Sequence, residues 1–184
     1  NKLLGHHVRF CISGGGFLSQ NVSETINGFG YPLYDGFGMT ELGVTSVELS
    51  RDVSERIKRS IGHPLYGVEY KIKRTGELLI KCPMMHTHEI VNGKYVKPKL
   101  DKNGFFATGD IATKIEEKYY LKGRLKDTII LKNGENVYPD EIESYFKKVK
   151  GVNNLTVFSY RHKIILVVYG EKHVIDDLKK IQKN

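Results

Sequence analysis

A chain of 184 residues with a hydrophobic share of 40% is long enough for one domain of ordinary size or two small ones. It carries no apolar run long enough to span a bilayer and no charged-then-apolar signal at its start, and its two cysteines, Cys11 and Cys82, match no metal or disulfide spacing, which fits a reducing, cytoplasmic setting. The formal net charge of +8 suggests an anionic partner: a nucleotide, a coenzyme, nucleic acid or a membrane surface.

In chain order, Val8, Phe10 and Ile12 alternate with Arg9 and Cys11, which predicts a strand. SGGGFL breaks it, and Ser19 then caps a short helix carrying Val22 and Ile26 that Gly28 and Gly30 stop. PLYD reads as a short strand running into the glycine-rich GFGMTELG at 36–43, and VTSVEL as another strand. Residues 51–60 read as a charged, polar connector, and VEYKIKRTGELLIKC as a hairpin around Thr75–Gly76. Residues 86–104 read as a long polar loop, followed by strands at FFATGDIATKI and KYYLKGR. The first half is thus strand–helix–strand and the middle a β-rich meander.

After Arg124 the pattern restarts. TIILKNGENVY predicts a hairpin turning at Asn133–Gly134, a pair suited to two-residue loops of positive φ. Pro139 opens a helix with Asp140, Glu141 and Glu143 near its positive end, Lys147, Lys148 and Lys150 near its negative end, Gly151 as its cap, and Ile142, Phe146 and Val149 on one face. LTVFSY and IILVVYG are strands joined by a turn at 161–163, and a last helix is expected from Val174. The fold class expected is α/β with a β-rich middle over residues 1–123, then a small α+β domain over 124–184, the break falling at 123–127. No internal repeat or low-complexity tract is present. Residue 1 lies just ahead of an apolar run and the chain stops inside VIDDLKKIQKN, so it reads as an excised piece of a longer protein.

Three stretches carry chemistry. In the first, SGGG at 13–16 offers bare backbone and Phe37 a flat ring, a pair able to enclose a purine. Asp35 suits an exocyclic amino group, Thr40 a phosphate oxygen, and Glu41 the Mg²⁺ that accompanies nucleotide phosphates. A glycine turn between two strands explains the same residues. In the second, TGDIA, the Asp110 carboxylate suits a ribose diol, or Gly109–Asp110 forms a plain turn. In the third, GRLKD, Arg124 suits ribose or phosphate oxygens, or is a solvated charge.

Together and in order, ISGGGFL, YDGFGMTELG, IGHPLYGVEYKI, GELLIK, GFFATGDIA and YYLKGRLKDTIILKNGENVYPDEIE closely resemble the adenylate-forming ligases, which include acyl-CoA synthetases, adenylation domains of nonribosomal peptide synthetases and firefly-type luciferases. The resemblance covers roughly residues 8–150, and KNGENVYPDEIE looks most like fatty acyl-CoA synthetases. It implies the C-terminal part of the family's large domain followed by its small mobile domain. It implies that Gly14, Gly15, Gly16 and Phe17 enclose the adenine of ATP and acyl-AMP against Phe37, with Asp35 on the amino group and Gly36, Gly38 and Met39 completing that strand of the nucleotide site. Thr40 would meet the phosphate, Glu41 the Mg²⁺, Asp110 the ribose hydroxyls, and Arg124 the ribose or phosphate. Lys126 falls on the family's hinge, Gly134, Glu135, Asn136, Val137 and Tyr138 on the loop that enters for thioester formation, and Gly43 and Val44 on the border of the acyl pocket. The implied ligands are ATP, Mg²⁺, coenzyme A and a small carboxylic, in particular fatty, acid.

The chain departs from the family pattern at Gly16–Phe17, where Ala–Pro is usual, at Phe37, where Tyr is usual, and at MMHTHE, where Gly–Tyr follows the GELLIK strand. The family's phosphate loop with its lysine has no match here, and the lysine that drives adenylation would lie past Asn184, so this piece alone is expected not to complete the reaction. His86 and His88, two apart, could ligate a metal but lack a third ligand and read as loop residues; His6–His7 reads as surface. The lysines are scattered, with no basic helix or aromatic–basic motif, so no nucleic-acid partner is expected; they form solvated surface first and a landing area for coenzyme A phosphates second. The alternatives are an adenylation domain that loads a carrier protein and a non-catalytic nucleotide-binding or interaction module.

Overall fold

A computed structural model of the chain describes residues 5, 7–161, 163–171, 173, 174 and 178. The chain divides into two compact units, the first ending at Leu121 and the second beginning at Lys122. No described helix is long and apolar enough to cross a membrane.

The first unit holds two four-stranded sheets. Strand β1 (Cys11–Ser13) pairs parallel with β2 (Leu33–Met39), in the register Cys11↔Leu33 to Ser13↔Asp35. The strand expected from Val8 begins only at Cys11; Val8 and Phe10 are exposed, so their alternation marks no buried face. Helix α1 (Gln20–Gly28) makes the parallel connection, and the Val22 N–H donates to the Ser19 Oγ at 3.3 Å as its N-cap. Its buried face is not the expected one: Ser23 and Asn27 are inside and Val22 is exposed. Asn27 is inside because it is bonded there, its Oδ1 accepting from the Leu33 N–H at 3.3 Å and from Arg56 Nε at 2.8 Å.

Strand β2 does not stop at the glycines but continues through them, antiparallel to β3 (Gly43–Val47), which pairs in turn with β4 (His63–Pro64). A Cβ on Gly38 would lie 2.6 Å from the Gly43 carbonyl oxygen, and one on Gly36 3.3 Å from that of Ser46. The glycines admit close backbone approach at a register shift between Phe37 and Gly38.

Residues 51–60, expected as a polar connector, contain helix α2 (Val53–Arg56), capped by Asp52, and bury Arg56 and Ser60. Arg56 donates to Asn27 Oδ1 and to the carbonyls of Ser50 and Arg51, and lies 5.5 Å over the Tyr34 ring. The connector thus fastens α1 to β2, because a buried guanidinium needs its donors answered.

The second sheet has the order β10 (Lys118–Arg124), β9 (Phe106–Ile115), β6 (Glu77–Lys81), β5 (Glu69–Ile72). Leu78, Leu79 and Ile80 of β6 are all buried, as a strand covered on both faces requires. The main core joins Leu78 and Ile80 to Phe37, Leu42, Ile61, Val68, Cys82, Ala112 and Tyr119. The segment expected as a polar loop folds part of itself into a hairpin of β7 (Glu89–Val91) and β8 (Lys94–Val96), turning at Asn92 (φ 50°) and Gly93 (φ 75°).

In the second unit, β11 (Ile129–Ile130) pairs with β12 (Asn136–Val137). The turn between them places only Gly134, at φ 84°, in the left-handed region, so Asn133 does not take the positive φ expected of it. Helix α3 (Pro139–Phe146) starts on Pro139 and packs on β13 (Val152–Tyr160), which forms an antiparallel ribbon with β14 (Lys163–Gly170). Ile142, Phe146 and Val149 are half-buried on one face of the helical segment. The helix expected from Val174 falls mostly outside the described residues.

Candidate functional site

Parallel pairing carries both β1 and β2 towards the same end, and the chain leaves β1 at Ser13 into the glycine loop opposite Asp35. The crevice beyond the carboxyl ends of parallel strands is where open α/β sheets take ligands. Gly14 lies against the β2 backbone, its Cβ position 3.5 Å from the Gly36 carbonyl, while a Cβ on Gly15 (φ 76°) or Gly16 would meet nothing within 4 Å. Bare backbone and open space therefore coincide. Phe17, half-exposed after the glycines, has the Arg59 guanidinium 5.3 Å over its ring.

Asp35 is half-buried, and its carbonyl accepts from the Glu48 N–H at 2.8 Å. Burial pushes its carboxyl up to about 7, against the pull of the Gly36 N–H and the Arg59 charge. Phe37 stands on the same side of the pleat as Leu33 and is 8% exposed, packed into the core. Little of its ring is open, so the stacking face read from the sequence is mainly a core face here. The Phe37 carbonyl accepts from Thr45 Oγ1 at 3.1 Å, and Thr45 and Ser46 both bond the Tyr70 hydroxyl, a polar brace beneath the strand.

Thr40 and Glu41 occupy the tip of the β2–β3 turn, closed by the Leu42 N–H on the Met39 carbonyl at 3.0 Å and by Gly43 at φ 68°. Gly43 and Val44 are exposed beside it. His86 secures this tip: its backbone N–H donates to the Glu41 carbonyl at 2.8 Å, and its Nδ1 lies 3.0 Å from the same oxygen. The hydrogen bond to that carbonyl, together with Glu89, raises the His86 imidazole above its usual range against desolvation. The Glu41 carboxylate has no hydrogen bond or ion pair among the described residues. No group of three or more metal-binding side chains occurs among them. His88 faces Tyr95 edge-on at 6.3 Å.

Asp110 stands in the second sheet, on β9. The ladder with β6 shifts between Glu77↔Ile111 and Leu79↔Ala107, and Gly109 takes φ 73° within the shift. Such a bulge re-aims the side chain that follows it. Thr108 Oγ1 fixes the bend by donating to the Leu78 carbonyl at 2.9 Å and accepting from the Asp110 N–H at 3.1 Å.

The other candidate residues belong to the second unit. Arg124 precedes a single 3-10 turn, Leu125–Asp127, that contains Lys126, and the Arg124 carbonyl accepts from Thr128 Oγ1 at 2.9 Å. Gly134 and Glu135 form the tip of the β11–β12 hairpin, Asn136 and Val137 its second strand, and Tyr138 the residue before α3. Asp140, at the start of α3, has its carboxyl raised by burial and by the nearby charges of Glu143 and Asp127. Two groups escaped the sequence reading: Arg59 lies in a stretch without periodicity, and the buried Glu48 is paired with Lys118 seventy positions away; His86 reads as a loop residue, and its bond to the Glu41 carbonyl was not foreseen.

The match to known proteins decides what this arrangement belongs to: residues 1–86 match the family described as AMP-binding enzyme. The chain belongs to the AMP-binding enzyme family. Curated relatives of the chain include a 2-succinylbenzoate–CoA ligase of Staphylococcus epidermidis, 34% identical over 152 residues, covering 78% of the chain and 31% of the relative. Another is the chloroplastic long-chain-fatty-acid–[acyl-carrier-protein] ligase of Arabidopsis thaliana, 31% identical over 168 residues, covering 79% of the chain and 23% of the relative. The chain thus spans about a third or less of the length of these relatives. Among solved structures, the o-succinylbenzoate CoA synthetase of Bacillus subtilis with its acyl-adenylate intermediate superposes at a TM-score of 0.77 and 26% identity, over 96% of the chain and 40% of the other. ATP-bound MatB of Rhodopseudomonas palustris gives 0.75 and 25%, over 94% and 39%.

Proposed function

We propose that this chain supplies the adenylate-binding surface and the pivot of an ATP-dependent acid–thiol ligase. The observation that carries the reading is the parallel β1–β2 pair, which sets the open backbone of Gly14–Gly16 against the strand of Asp35 and Gly36. The loop and Asp35 take the adenine, Thr40 a phosphate oxygen, and Asp110 the ribose hydroxyls. Arg124 takes ribose or phosphate oxygens, and Gly43 and Val44 border the acid.

The substrate carboxylate attacks the α-phosphate of ATP, forming a carbon–oxygen–phosphorus link and expelling pyrophosphate. A thiol, in this reading that of coenzyme A, then adds to the acyl carbon and AMP departs. Glu41 fits Mg²⁺ as one hard oxygen ligand at an open turn, and among the described residues no group of three or more metal-binding side chains joins it. Bound there, the ion neutralises charge that develops on the phosphates. Lys126 is the pivot, and Gly134 to Tyr138 the loop that serves the second step. This chain binds nucleotide; complete turnover belongs to the whole protein.

The acid is proposed at two levels. A fatty acid is supported by KNGENVYPDEIE and by the name of the Arabidopsis relative, which also supports a carrier protein as acceptor. A second reading, 2-succinylbenzoate, is supported by the 34% identical relative. Pyrophosphate exchange by the whole protein across an acid panel separates them.

The first test is calorimetric titration of the 184-residue chain with AMP. Saturable binding that is lost in Gly15→Val is expected, since a β-branched side chain would strain the positive φ and fill the open space. If AMP does not bind, the adenylate reading fails.

A further inference from the structure

The segment that leaves β6 crosses the tip of the β2–β3 turn and reaches three consecutive residues there. Cys82 Sγ donates to the Leu42 carbonyl at 3.7 Å. Met84 Sδ lies 4.0 Å from where a Cβ on Gly43 would stand. His86 meets the Glu41 carbonyl twice, from its backbone N–H at 2.8 Å and from Nδ1 at 3.0 Å. A carbonyl oxygen has two lone pairs and only accepts, so one residue answers both and Nδ1 carries a hydrogen. The ring is held in place for this contact. Its Nε2 lies 3.2 Å from Glu89 Oε1 at the start of β7, and it stands edge-on to the Phe106 ring of β9 with 5.9 Å between centres.

We infer that His86 is a positioning residue, which pins the Glu41 carbonyl with backbone and ring together and so fixes the Thr40 hydroxyl for the phosphate of a bound nucleotide. The inference rests on the adenylate reading above, in which Thr40 takes a phosphate oxygen. Thr40 and Glu41 are the two central residues of the turn that the Leu42 N–H closes on the Met39 carbonyl, and Thr40 is exposed. A turn held only by its own hydrogen bond can rock on the ladder beneath it. Pinned from outside by two donors, it presents its hydroxyl in one direction, and a contact is strong only when its supports are fixed in that way. His86 falls in MMHTHE, where the chain departs from the family pattern, so the resemblance assigns it no role.

The role needs only the hydrogen on Nδ1, which a neutral and a charged imidazole can both carry. The two ring nitrogens have different partners, and amide side chains separate them. Asparagine places its Nδ2 where Nδ1 stands and keeps a donor for the Glu41 carbonyl. Glutamine reaches the place of Nε2 and keeps only the contact with Glu89.

The test is calorimetric titration of the 184-residue chain with AMP and with adenosine, in EDTA so that no divalent cation takes part. The ratio of the two dissociation constants reads the phosphate contact alone, since base and ribose are common to both. In His86→Phe, which keeps a ring against Phe106, AMP should weaken about tenfold, the scale of one hydrogen bond to a charged group, while adenosine binds as in wild type. His86→Asn should keep the wild-type ratio, and His86→Gln should lose it as His86→Phe does. On a Thr40→Val background, His86→Phe should cost AMP nothing further, because the two residues act as one. A wild-type ratio in His86→Phe overturns the inference and leaves the adenylate reading standing. So does a loss that Thr40→Val leaves undiminished, since His86 would then act by another route. If wild type binds neither ligand, both fall. If wild type binds AMP and adenosine alike, the inference falls while the adenine part of the reading stands. Should His86→Phe not fold, His86→Asn and His86→Gln decide, and equal ratios in those two overturn the inference.

Discussion

Asp35 is costly to the fold in the ionised form that the proposed chemistry needs. Its folded carboxyl titrates at about 7 against 3.8 for the free group. Between those values the native chain holds a proton that the unfolded chain has released, so stability falls as pH rises through that window and levels off above it. Asp35→Asn, neutral and of the same shape, should match wild type in Tm near pH 4 and exceed it at pH 8. The gain is on the order of 2 kcal/mol after discounting for partial exposure, or about 5 °C. Thermal unfolding across this range checks it, and parallel curves for the two proteins would refute the assignment. The chemistry of Asp35 was legible from its type and place; its proton affinity was not, because that comes from neighbours the sequence does not put beside it. Phe37 shows the converse. Its position in the motif is plain, but an aromatic residue on a strand reads alike whether its face is open or buried in the core cluster that includes Leu42, Ile61 and Val68.

At the scale of elements, the segment read as a connector is the part most tightly bonded. Glu48 is 2% exposed, and its carboxylate meets Lys118 Nζ at 2.8 Å, Ser60 Oγ and the Ser50 N–H; Lys118 also reaches Glu55 at 3.0 Å. Burial alone would raise the Glu48 carboxyl, but Lys118, Ser60 and Ser50 outweigh it and hold it low. Lys118→Met should therefore cost about 3 kcal/mol in urea unfolding, since it leaves a buried charge without its partner. The double variant Glu48→Gln/Lys118→Met should recover much of that loss, and additive losses would mean the pair is not coupled. None of this is periodic in the sequence, because the partners come from the segment after β3, from α2 and the residues after it, and from β10. The β7–β8 hairpin differs: Asn92–Gly93 between Ile90–Val91 and Tyr95–Val96 is a legible turn signal. It was hidden by the lysines and histidines around it, which made the segment read as loop. On α1, Val22 and Ile26 had the right spacing, but the side chain that fixes the inner face is Asn27, through an arginine 29 positions away.

At the scale of the molecule, local signals were enough to foresee a strand–helix–strand start, a β meander and a restart after it, since each rests on turn chemistry and alternation within a few residues. Relative motion of the two units is a separate, proposed property, and Lys126 is where it can be tested. Lys126 is the second residue of the turn closed by the Thr128 N–H on the Leu125 carbonyl at 3.3 Å. Proline suits that position of a turn, so Lys126→Pro should fold with a Tm close to wild type while fixing φ in its present range. Acyl-AMP formation and thioester formation need different residues over one site, and rotation about one or two backbone positions can supply both arrangements. In the whole protein, Lys126→Pro should spare one half-reaction and cut the other about 100-fold, the scale of a misplaced reacting group. Thioester formation is the expected loss, because the proposed reading gives Gly134 to Tyr138 to that step. Pyrophosphate exchange measures the first step, and coenzyme A consumption from supplied acyl-AMP the second. Equal loss of both would mean that the substitution damages the fold, and loss of neither would place the pivot at another residue.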